Sequence, residues 1–430
     1  MKLHPQHRIQ ILGGTVIDPQ SGLHAVKDVF IENDTIVAIG TKPQDFQVEK
    51  TIDASGQLVL PGFIDLCAFL AEPGFAQKGS IASETRAAAH NGITTLCCAP
   101  DTKPVIDSSA VANLIKDRAQ QAGNVRVLPL GALSAGLEGE QLSNMNGLKE
   151  AGCVALTNMD APMRDSRVVM QCYHYAAGVG VPVMITPLDK ALADVGCMHQ
   201  GPTSTKLGLA GIPESAETVA LAQHLLLIEQ TGVKAHFNRI SSGRALAMIT
   251  DAKAKGLNVT ADVALGNLCF IDEDILGFDS AMHVVPPYRS EADRQALLAG
   301  VNAGELAICS NHRPHEIAAK MAPFAASEAG ISVLDSFAAV LMNLVKRGDL
   351  TLEAAVKAVT QTPAAILDRE LGSLRVGALA DVVVISAEQD VVVEKAALQS
   401  KGTNNPWVGQ ALNGKVSATL CAGHVVFEAE

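Results

Sequence analysis

Eight apolar segments separated by helical stretches dominate the middle of this sequence. The apolar segments are residues 58–69, 93–99, 125–131, 153–159, 181–187, 233–240, 257–264 and 306–311. Several of the intervening stretches end in Gly just before the next segment, as a helix C-cap commonly does. Apolar strands that alternate with helices in this way predict an α/β protein with a parallel, TIM-like (β/α)8 barrel over residues 58–368.

The two ends of the chain have a different pattern. Residues 9–56 alternate apolar and polar positions between turn signals such as Gly13-Gly14, and residues after 368 return to the same pattern. Short alternating runs bounded by Gly, Pro, Asn and Asp predict antiparallel strands. We therefore expect residues 1–57 and 369–430 to form β structure outside the barrel.

Charge and cysteine content restrict the partners. The net charge is −12 and no run of Lys or Arg occurs, which argues against binding to nucleic acid or to an acidic membrane. No apolar run reaches the roughly 18 residues of a membrane span. The nine cysteines are odd in number and scattered, which fits a reducing compartment. We therefore predict a cytoplasmic protein.

Residues 58–74, LVLPGFIDLCAFLAEPG, resemble the amidohydrolase superfamily and, within it, the dihydroorotases. In that family the stretch carries an Asp-x-His-x-His pattern that starts a zinc site. Asp65 and Glu72-Pro73-Gly74 match the frame of the pattern, whereas Cys67 and Phe69 stand at the two histidine positions. The resemblance also implies that both chain ends pair into one small β-sandwich beside the barrel.

Side chains at the carboxyl ends of barrel strands carry out catalysis in this fold. The resemblance implies that the family's six metal-binding and catalytic positions are Cys67, Phe69, Asn158, Thr186, Arg239 and Asn311. Asn158 and Asn311 have the shape of a carboxylate without its charge or basicity. Arg239 cannot lose its proton and would repel a dication. We therefore predict that zinc is absent, that no other cofactor replaces it, and that the chain has no catalytic residue.

The positions that contact substrate in the family are also altered. Ala71 and Asp101 occupy the places of an arginine and an asparagine, and a carboxylate at Asp101 would repel an anionic dihydroorotate. Arg289 and His315 match the family and are predicted to be remnants of substrate binding.

Several weaker site hypotheses remain open from the residues. Metal binding could involve Cys67 with Cys97 or Cys98, the triplet Cys197-Met198-His199, or His312-Arg313-Pro314-His315, although adjacent residues of a strand point to opposite faces. Cys67 could be a nucleophile with His312 as its base. Arg239 could bind a carboxylate ligand, or it could form a structural ion pair with Asp65 or Asp262. We expect His236 to be a hydrogen-bonded core histidine.

The resemblance extends over nearly the whole chain and implies a function. Some bacteria have noncatalytic dihydroorotase-like chains that accompany aspartate carbamoyltransferase in pyrimidine biosynthesis. We accordingly predict a pseudo-enzyme that scaffolds the transcarbamoylase catalytic chain, as a homo-dimer or a larger hetero-oligomer. The alternatives are a divergent cyclic-amide hydrolase that uses Cys67 and His312, and a sensor that binds a small acid through Arg239 and Arg289.

Overall fold

The computed structural model describes residues 7–161, 163 and 165–429. The strands within these residues are β1 (Arg8–Asp18), β2 (Leu23–Glu32), β3 (Thr35–Ile39), β4 (Lys50–Asp53), β5 (Leu58–Pro61), β6 (Phe63–Ala68), β7 (Ile93–Cys98), β8 (Arg126–Pro129), β9 (Gly131–Ala132), β10 (Leu156–Thr157), β11 (Val183–Ile185), β12 (Met198–His199), β13 (Gly211–Ile212), β14 (Ala235–Phe237), β15 (Val259–Ala264), β16 (Leu306–Cys309), β17 (Val382–Val392), β18 (Ala411–Cys421) and β19 (His424–Glu428).

The helices of the same residues are α1 (Ile81–His90), α2 (Ser109–Ala122), α3 (Met145–Glu150), α4 (Ser166–Val179), α5 (Lys190–Ala193), α6 (Pro202–Leu207), α7 (Ser215–Thr231), α8 (Gly243–Ala254), α9 (Leu265–Cys269), α10 (Glu291–Asn302), α11 (Ile317–Lys320), α12 (Phe337–Lys346), α13 (Leu352–Val359) and α14 (Gln361–Leu367). None of them is long and apolar enough to cross a membrane.

Both ends of the chain build one β domain. Its strands follow the hydrogen-bonded order β19-β18-β17-β5-β1-β2-β3, and β4 pairs with β1. β5 joins the two ends because it runs parallel to β1 on one side and antiparallel to β17 on the other. Their association into a single domain confirms the prediction of fold class.

The predicted first barrel strand, residues 58–69, is in fact two strands, so the boundary predicted after residue 57 is wrong. Leu58–Pro61 belongs to the β domain and Phe63–Ala68 to the barrel. Gly62 separates them, and a Cβ atom there would lie 2.3 Å from Thr94 Oγ1. Only glycine lets the chain pass so close to β7, which is why one apolar run divides between two sheets.

The barrel is parallel and follows the predicted order. β6, β7 and β8 form one sheet, and β9, β10, β11, β14, β15 and β16 form another. β8 and β9 are two parts of the third barrel strand, which is interrupted at Leu130. The barrel closes between its last and first strands, where the Phe69 N–H donates to the His312 carbonyl at 2.8 Å. The prediction of a (β/α)8 barrel is therefore confirmed.

Several strands are shorter than the apolar segments that predicted them. Leu156–Thr157 replaces 153–159, and Ala235–Phe237 replaces 233–240. The chain turns away soon after these strands in left-handed conformations, with φ of 47° at Met159, 57° at Arg239 and 50° at Asn311. Apolar composition predicts burial, but it does not indicate where the backbone leaves the sheet.

The last two helices of the barrel domain, α13 and α14, follow each other without a loop. They meet at Thr360, whose φ of −130° and ψ of −82° are not helical. Pro363 has no N–H to donate to the carbonyl of residue 359, so a continuous helix would lose a hydrogen bond there.

A partly buried ion pair joins the β domain to the amino-terminal end of barrel strand β8. Arg126 Nη1 of β8 lies 2.8 Å from Asp381 Oδ2, and the Ala422 N–H donates to Asp381 Oδ1 at 2.7 Å. We expect Asp381→Ala to lower the free energy of unfolding by about 2 kcal/mol, because it removes the counter-charge of Arg126, which keeps only the Thr95 hydroxyl at 2.8 Å, and leaves the Ala422 N–H without an acceptor. The control is Glu370→Ala, which removes an exposed pair with Arg375 and should change stability by less than about 0.5 kcal/mol. Equal shifts of the thermal midpoint for the two variants would contradict this prediction.

Candidate functional site

Arg239 lies at the centre of the barrel mouth. Its side chain is 1% exposed. Nη2 donates to Asp160 Oδ1 at 2.7 Å and to Thr186 Oγ1 at 2.6 Å, and Nη1 donates to Asn311 Oδ1 at 2.9 Å. The guanidinium therefore ties together the segments that follow barrel strands 4, 5, 6 and 8.

The backbone of Arg239 is held in place by β15. Its N–H donates to Asp262 Oδ1 at 2.6 Å, while Asp262 Oδ2 lies 2.9 Å from His236 Nε2. His236 also contacts Thr260 through Nδ1 at 2.8 Å, which confirms the prediction of a hydrogen-bonded core histidine. These contacts orient the left-handed residue so that its side chain crosses the mouth.

The predicted side-chain partner of Arg239 was wrong. Asp262 binds its backbone rather than its guanidinium, and Asp65 accepts hydrogen bonds from Ser310. The true partner is Asp160, which the sequence analysis missed. The only available signal was the rule that a buried guanidinium needs a carboxylate nearby.

A second arginine completes the group. Arg313 stacks on the Phe69 ring with its Cζ atom 3.7 Å from the centroid, and Arg239 Cζ is 5.7 Å from the same centroid. Arg313 Nη2 donates to Asp160 Oδ2 at 2.9 Å and to Asp101 Oδ2 at 3.3 Å. We use the name arginine cluster for the residues joined in this way: Phe69, Asp101, Asp160, Thr186, Arg239, Asn311 and Arg313.

Opposite charges balance within the arginine cluster. Burial alone would raise the pKa of Asp160, but the charges of Arg239 and Arg313 outweigh it and hold that pKa below its ordinary value. Burial raises the pKa of Asp101, against the lowering effect of Arg313. Two guanidinium groups thus face two carboxylates, and Asp160 is held in its charged form.

Asn158 belongs to the same mouth but not to the arginine cluster. Its Oδ1 accepts from the Ser134 N–H at 3.1 Å and its Nδ2 donates to Ser134 Oγ at 2.7 Å. The amide therefore fastens the end of strand 4 to the loop after strand 3.

Cys67 and His312 do not form the predicted nucleophile–base pair. His312 Nε2 lies 2.8 Å from Glu84 Oε2, and its Nδ1 accepts from the Val333 N–H at 3.1 Å, so both ring nitrogens are occupied. Burial raises the pKa of the Cys67 thiol, which keeps it protonated and weakly nucleophilic.

The predicted substrate-binding remnants do not converge on one place. Arg289 is buried and donates to Ser241 Oγ at 2.7 Å and Glu217 Oε2 at 3.2 Å. His315 Nε2 lies 3.0 Å from the Ala329 carbonyl. Ala71 is a loop residue with φ of 60°, and only Asp101 joins the arginine cluster. Arg239 and Arg289 each have internal partners, so the geometry does not favour the sensor hypothesis that combined them.

Two cavities adjoin the arginine cluster. One has a volume of about 590 Å³ and is lined by Asn158, Asp160, Thr186 and Lys190 together with apolar side chains such as Met184. The other, of about 260 Å³, lies beside Asn311 and Arg313. Asp160 and Lys190 line both cavities.

The donor set does not fit the zinc ion that the family resemblance implies. Zinc requires thiolate, imidazole or carboxylate ligands. Here Thr186 and Asn311 accept from a permanent cation, Asn158 is bonded to Ser134, and the pKa of Cys67 is raised. In the described part of the chain, no three His, Cys, Asp or Glu side chains form a group that could hold a metal, so the three weaker metal-site hypotheses find no support there either.

The fold has clear structural relatives. L-hydantoinase (dihydropyrimidinase) from Arthrobacter aurescens superposes with a TM-score of 0.87 at 20% identity, covering 98% of this chain and 96% of its own. D-hydantoinase (dihydropyrimidinase) from a Thermus species gives 0.83 at 21% identity, with the same coverage of each chain. The barrel and the β domain built from both chain ends therefore define an amidohydrolase-type fold.

Sequence comparison identifies the family. Residues 56–245 match the family described as Dihydro-orotase-like, and residues 339–427 match one described as Amidohydrolase family. A dihydroorotase-like protein of Pseudomonas aeruginosa is 47% identical over 421 residues, covering 98% of this chain and 99% of its own. A dihydroorotase of Citrifermentans bemidjiense is 38% identical over 97% of this chain and 99% of its own. The chain belongs to the dihydroorotase-like family of the amidohydrolase superfamily.

The arginine cluster predicts a strong coupling between Arg239 and Asp160. We expect Arg239→Met to lower the free energy of unfolding by about 3 kcal/mol, because Asp160 loses one of two counter-charges in a buried place. Asp160→Asn should lower the free energy of unfolding less in the Arg239→Met background than in the wild type, and the difference should be at least about 1 kcal/mol. Denaturation midpoints of the four proteins in this cycle measure the coupling, and additive effects would contradict it. Arg347→Met, at a half-exposed arginine, is the control and should change stability little.

Proposed function

We propose that this chain is a catalytically inactive dihydroorotase homologue that acts through protein contacts, as the noncatalytic partner of aspartate carbamoyltransferase in pyrimidine biosynthesis. One observation carries the loss of catalysis: the Arg239 guanidinium is bound in the barrel mouth by Asp160, Thr186 and Asn311. In this proposal the chain holds no zinc and works in the cytoplasm, as a homo-dimer or within a larger hetero-oligomer.

Simple electrostatics supports the absence of a metal. At about 4 Å and an effective dielectric constant near 20, a guanidinium would repel a dication by roughly 8 kcal/mol. Arginine cannot relieve this repulsion by losing a proton. Without zinc there is no metal-activated hydroxide and no Lewis acid for the amide carbonyl.

In this proposal the chain also lacks the general base of the family reaction. The resemblance assigns the general base to the position of Asn311, whose amide accepts from Arg239 and donates to the Val285 carbonyl at 3.3 Å. A primary amide is not a base at neutral pH. The proposed inactive chain therefore has neither the metal nor the general base that hydrolysis of a cyclic amide needs in this family.

The intact fold supports the scaffold role. The barrel, its closure and the β domain are all present, and Arg239 crosses the mouth with hydrogen bonds to Asp160 and Asn311. A chain with a well-packed fold and no group for the family reaction can still act through its outer surface. The identity of the partner rests on the family resemblance.

A divergent cyclic-amide hydrolase is the second candidate. Two observations favour it: relatives named dihydroorotase at 38% identity, and the cavity of about 590 Å³ beside the arginine cluster. Such an enzyme would need a nucleophile other than Cys67, which burial keeps protonated.

We expect the purified chain to contain less than about 0.1 equivalent of zinc and to hydrolyse dihydroorotate no faster than a blank, because Arg239 and Asn311 replace groups that act together on one step. Metal analysis and the assay should be run on the same sample. Turnover that survives purification to homogeneity, and that falls on Asn311→Ala, would establish the hydrolase instead.

Single reversions serve as controls for this experiment. Arg239→His and Asn311→Asp should each leave zinc content and turnover at background, since one new ligand among Phe69, Thr186 and Asn158 is too few to hold the metal. Recovery of turnover by either change would show that the site has been placed wrongly.

Co-expression tests the scaffold role. We expect a stable complex with aspartate carbamoyltransferase, and a transcarbamoylase that is misassembled or inactive when this chain is omitted. Complex mass can be measured by light scattering and activity by carbamoyl transfer. Asn311→Asp is a matched control, since a change inside the mouth should leave assembly unaltered. A transcarbamoylase that assembles and turns over normally alone would refute the proposal.

A further inference from the structure

Two loops at the carboxyl-terminal face of the barrel expose large apolar side chains. The loops follow β15 and β16, the last two barrel strands. Their exposed apolar residues are Leu276 at 45%, Phe278 at 48%, Ile317 at 55% and Met321 at 78%. We call these four residues the rim patch.

Hydrogen bonds hold the two loops side by side. Ser280 Oγ donates to the Lys320 carbonyl at 2.7 Å, and Lys320 Nζ donates to the Ser280 carbonyl at 2.9 Å. Lys320 Nζ also donates to the Glu328 carbonyl at 2.6 Å. Phe278 lies two residues from Ser280 and Met321 follows Lys320, so the hydrogen bonds bring the two loop segments that carry the exposed apolar residues next to each other.

Phe278 is held in a costly conformation. Its φ is 55° and its ψ is 28°, in the left-handed region that bulky residues rarely adopt. The cost is of the order of 1 kcal/mol, yet nearly half of the ring faces solvent, where it gains little from burial. Local strain of this kind concentrates at functional positions.

Carboxylates surround the rim patch. The two loop segments, residues 271–282 and 316–328, contain six Asp or Glu residues and one lysine. The ammonium of that lysine, Lys320, is turned inward to backbone carbonyls, and burial lowers its pKa to about 8. Glu328 forms an ion pair with Lys78 and Asp272 is buried, whereas Glu273 and Asp279 are exposed, so the outward charge of these two loops is negative.

This charge pattern restricts which kind of molecule can bind the rim patch. A symmetric contact with a second copy would bring two acidic rims together, and an anionic membrane or nucleic acid would be repelled. A protein surface with an apolar ridge flanked by Lys or Arg fits both the apolar centre and the acidic rim, since aromatic residues and Met are enriched where interfaces bury most.

We propose that the rim patch is the surface through which this chain docks on a basic, apolar-ridged surface of the aspartate carbamoyltransferase catalytic chain. The partner's identity rests on the proposed function, whereas the location and the chemistry come from the residues above.

The experiment measures binding of the co-expressed partner to full-length variants. Phe278→Glu/Met321→Glu should weaken the complex at least tenfold, while Val26→Glu/Val376→Glu, at valines 69% and 60% exposed, should not. Phe278→Gly removes the ring and relieves the left-handed strain, so it should keep the thermal midpoint and still weaken binding. Glu273→Lys should weaken binding and reduce its salt dependence, with Glu370→Lys as the control.

Each outcome separates the two proposals. A wild-type complex that the rim-patch variants leave intact overturns the docking surface alone. If the wild type forms no complex, the proposed function fails and the docking proposal fails with it. A change in the mass of the isolated chain on Phe278→Glu/Met321→Glu would assign the patch to contact between copies of this chain, and would also overturn the proposal.

Discussion

The carboxylate of Asp160 is the interaction on which the barrel mouth depends. One oxygen accepts from Arg239 and the other from Arg313, and the Phe69 ring lies against both guanidinium groups. A buried guanidinium needs a counter-charge and hydrogen-bond acceptors. Asp160 supplies the counter-charge of Arg239, and Thr186 and Asn311 accept from its terminal nitrogens, while its Nε has no hydrogen-bond partner among the described residues. Four strand ends are thus held by one ion pair.

The altered positions match one another as a set. The position of Asn311 must accept from Arg239 and donate to the Val285 carbonyl, and its amide does both, which a charged carboxylate could not. Thr186 supplies a neutral acceptor, so that Asp160 alone balances the charge of Arg239. Phe69 places an uncharged ring face beside the two guanidinium groups. A histidine at this position would add another positive charge whenever it was protonated. These side chains therefore form a consistent environment for a buried guanidinium.

The sequence predicted the arrangement of strands better than the contacts at their ends. Parallel strands bring their carboxyl ends to one edge, so Phe69, Thr186, Arg239 and Asn311 could be placed at one mouth in advance. Asp160 could not, because it follows a left-handed turn at Met159 that leaves no mark in periodicity or composition. For Arg289 and His315, the family resemblance indicated remnants of substrate binding but not their internal partners, such as Glu217 and the Ala329 carbonyl, which lie elsewhere in the sequence. The division of residues 58–69 between two domains likewise depends on the close approach of Gly62 to Thr94.

The charge distribution of the barrel's upper face follows from this arrangement. Within the mouth, two guanidinium groups and two carboxylates largely cancel, so little net field remains to attract an anionic substrate. The loops after β15 and β16 carry an excess of carboxylates that the arginine cluster does not neutralise, together with four apolar side chains that are 45–78% exposed. Electrostatic steering acts through such uncompensated surface charge rather than through balanced buried pairs. In an inactive chain, the feature of this face that can still select a partner is therefore its rim.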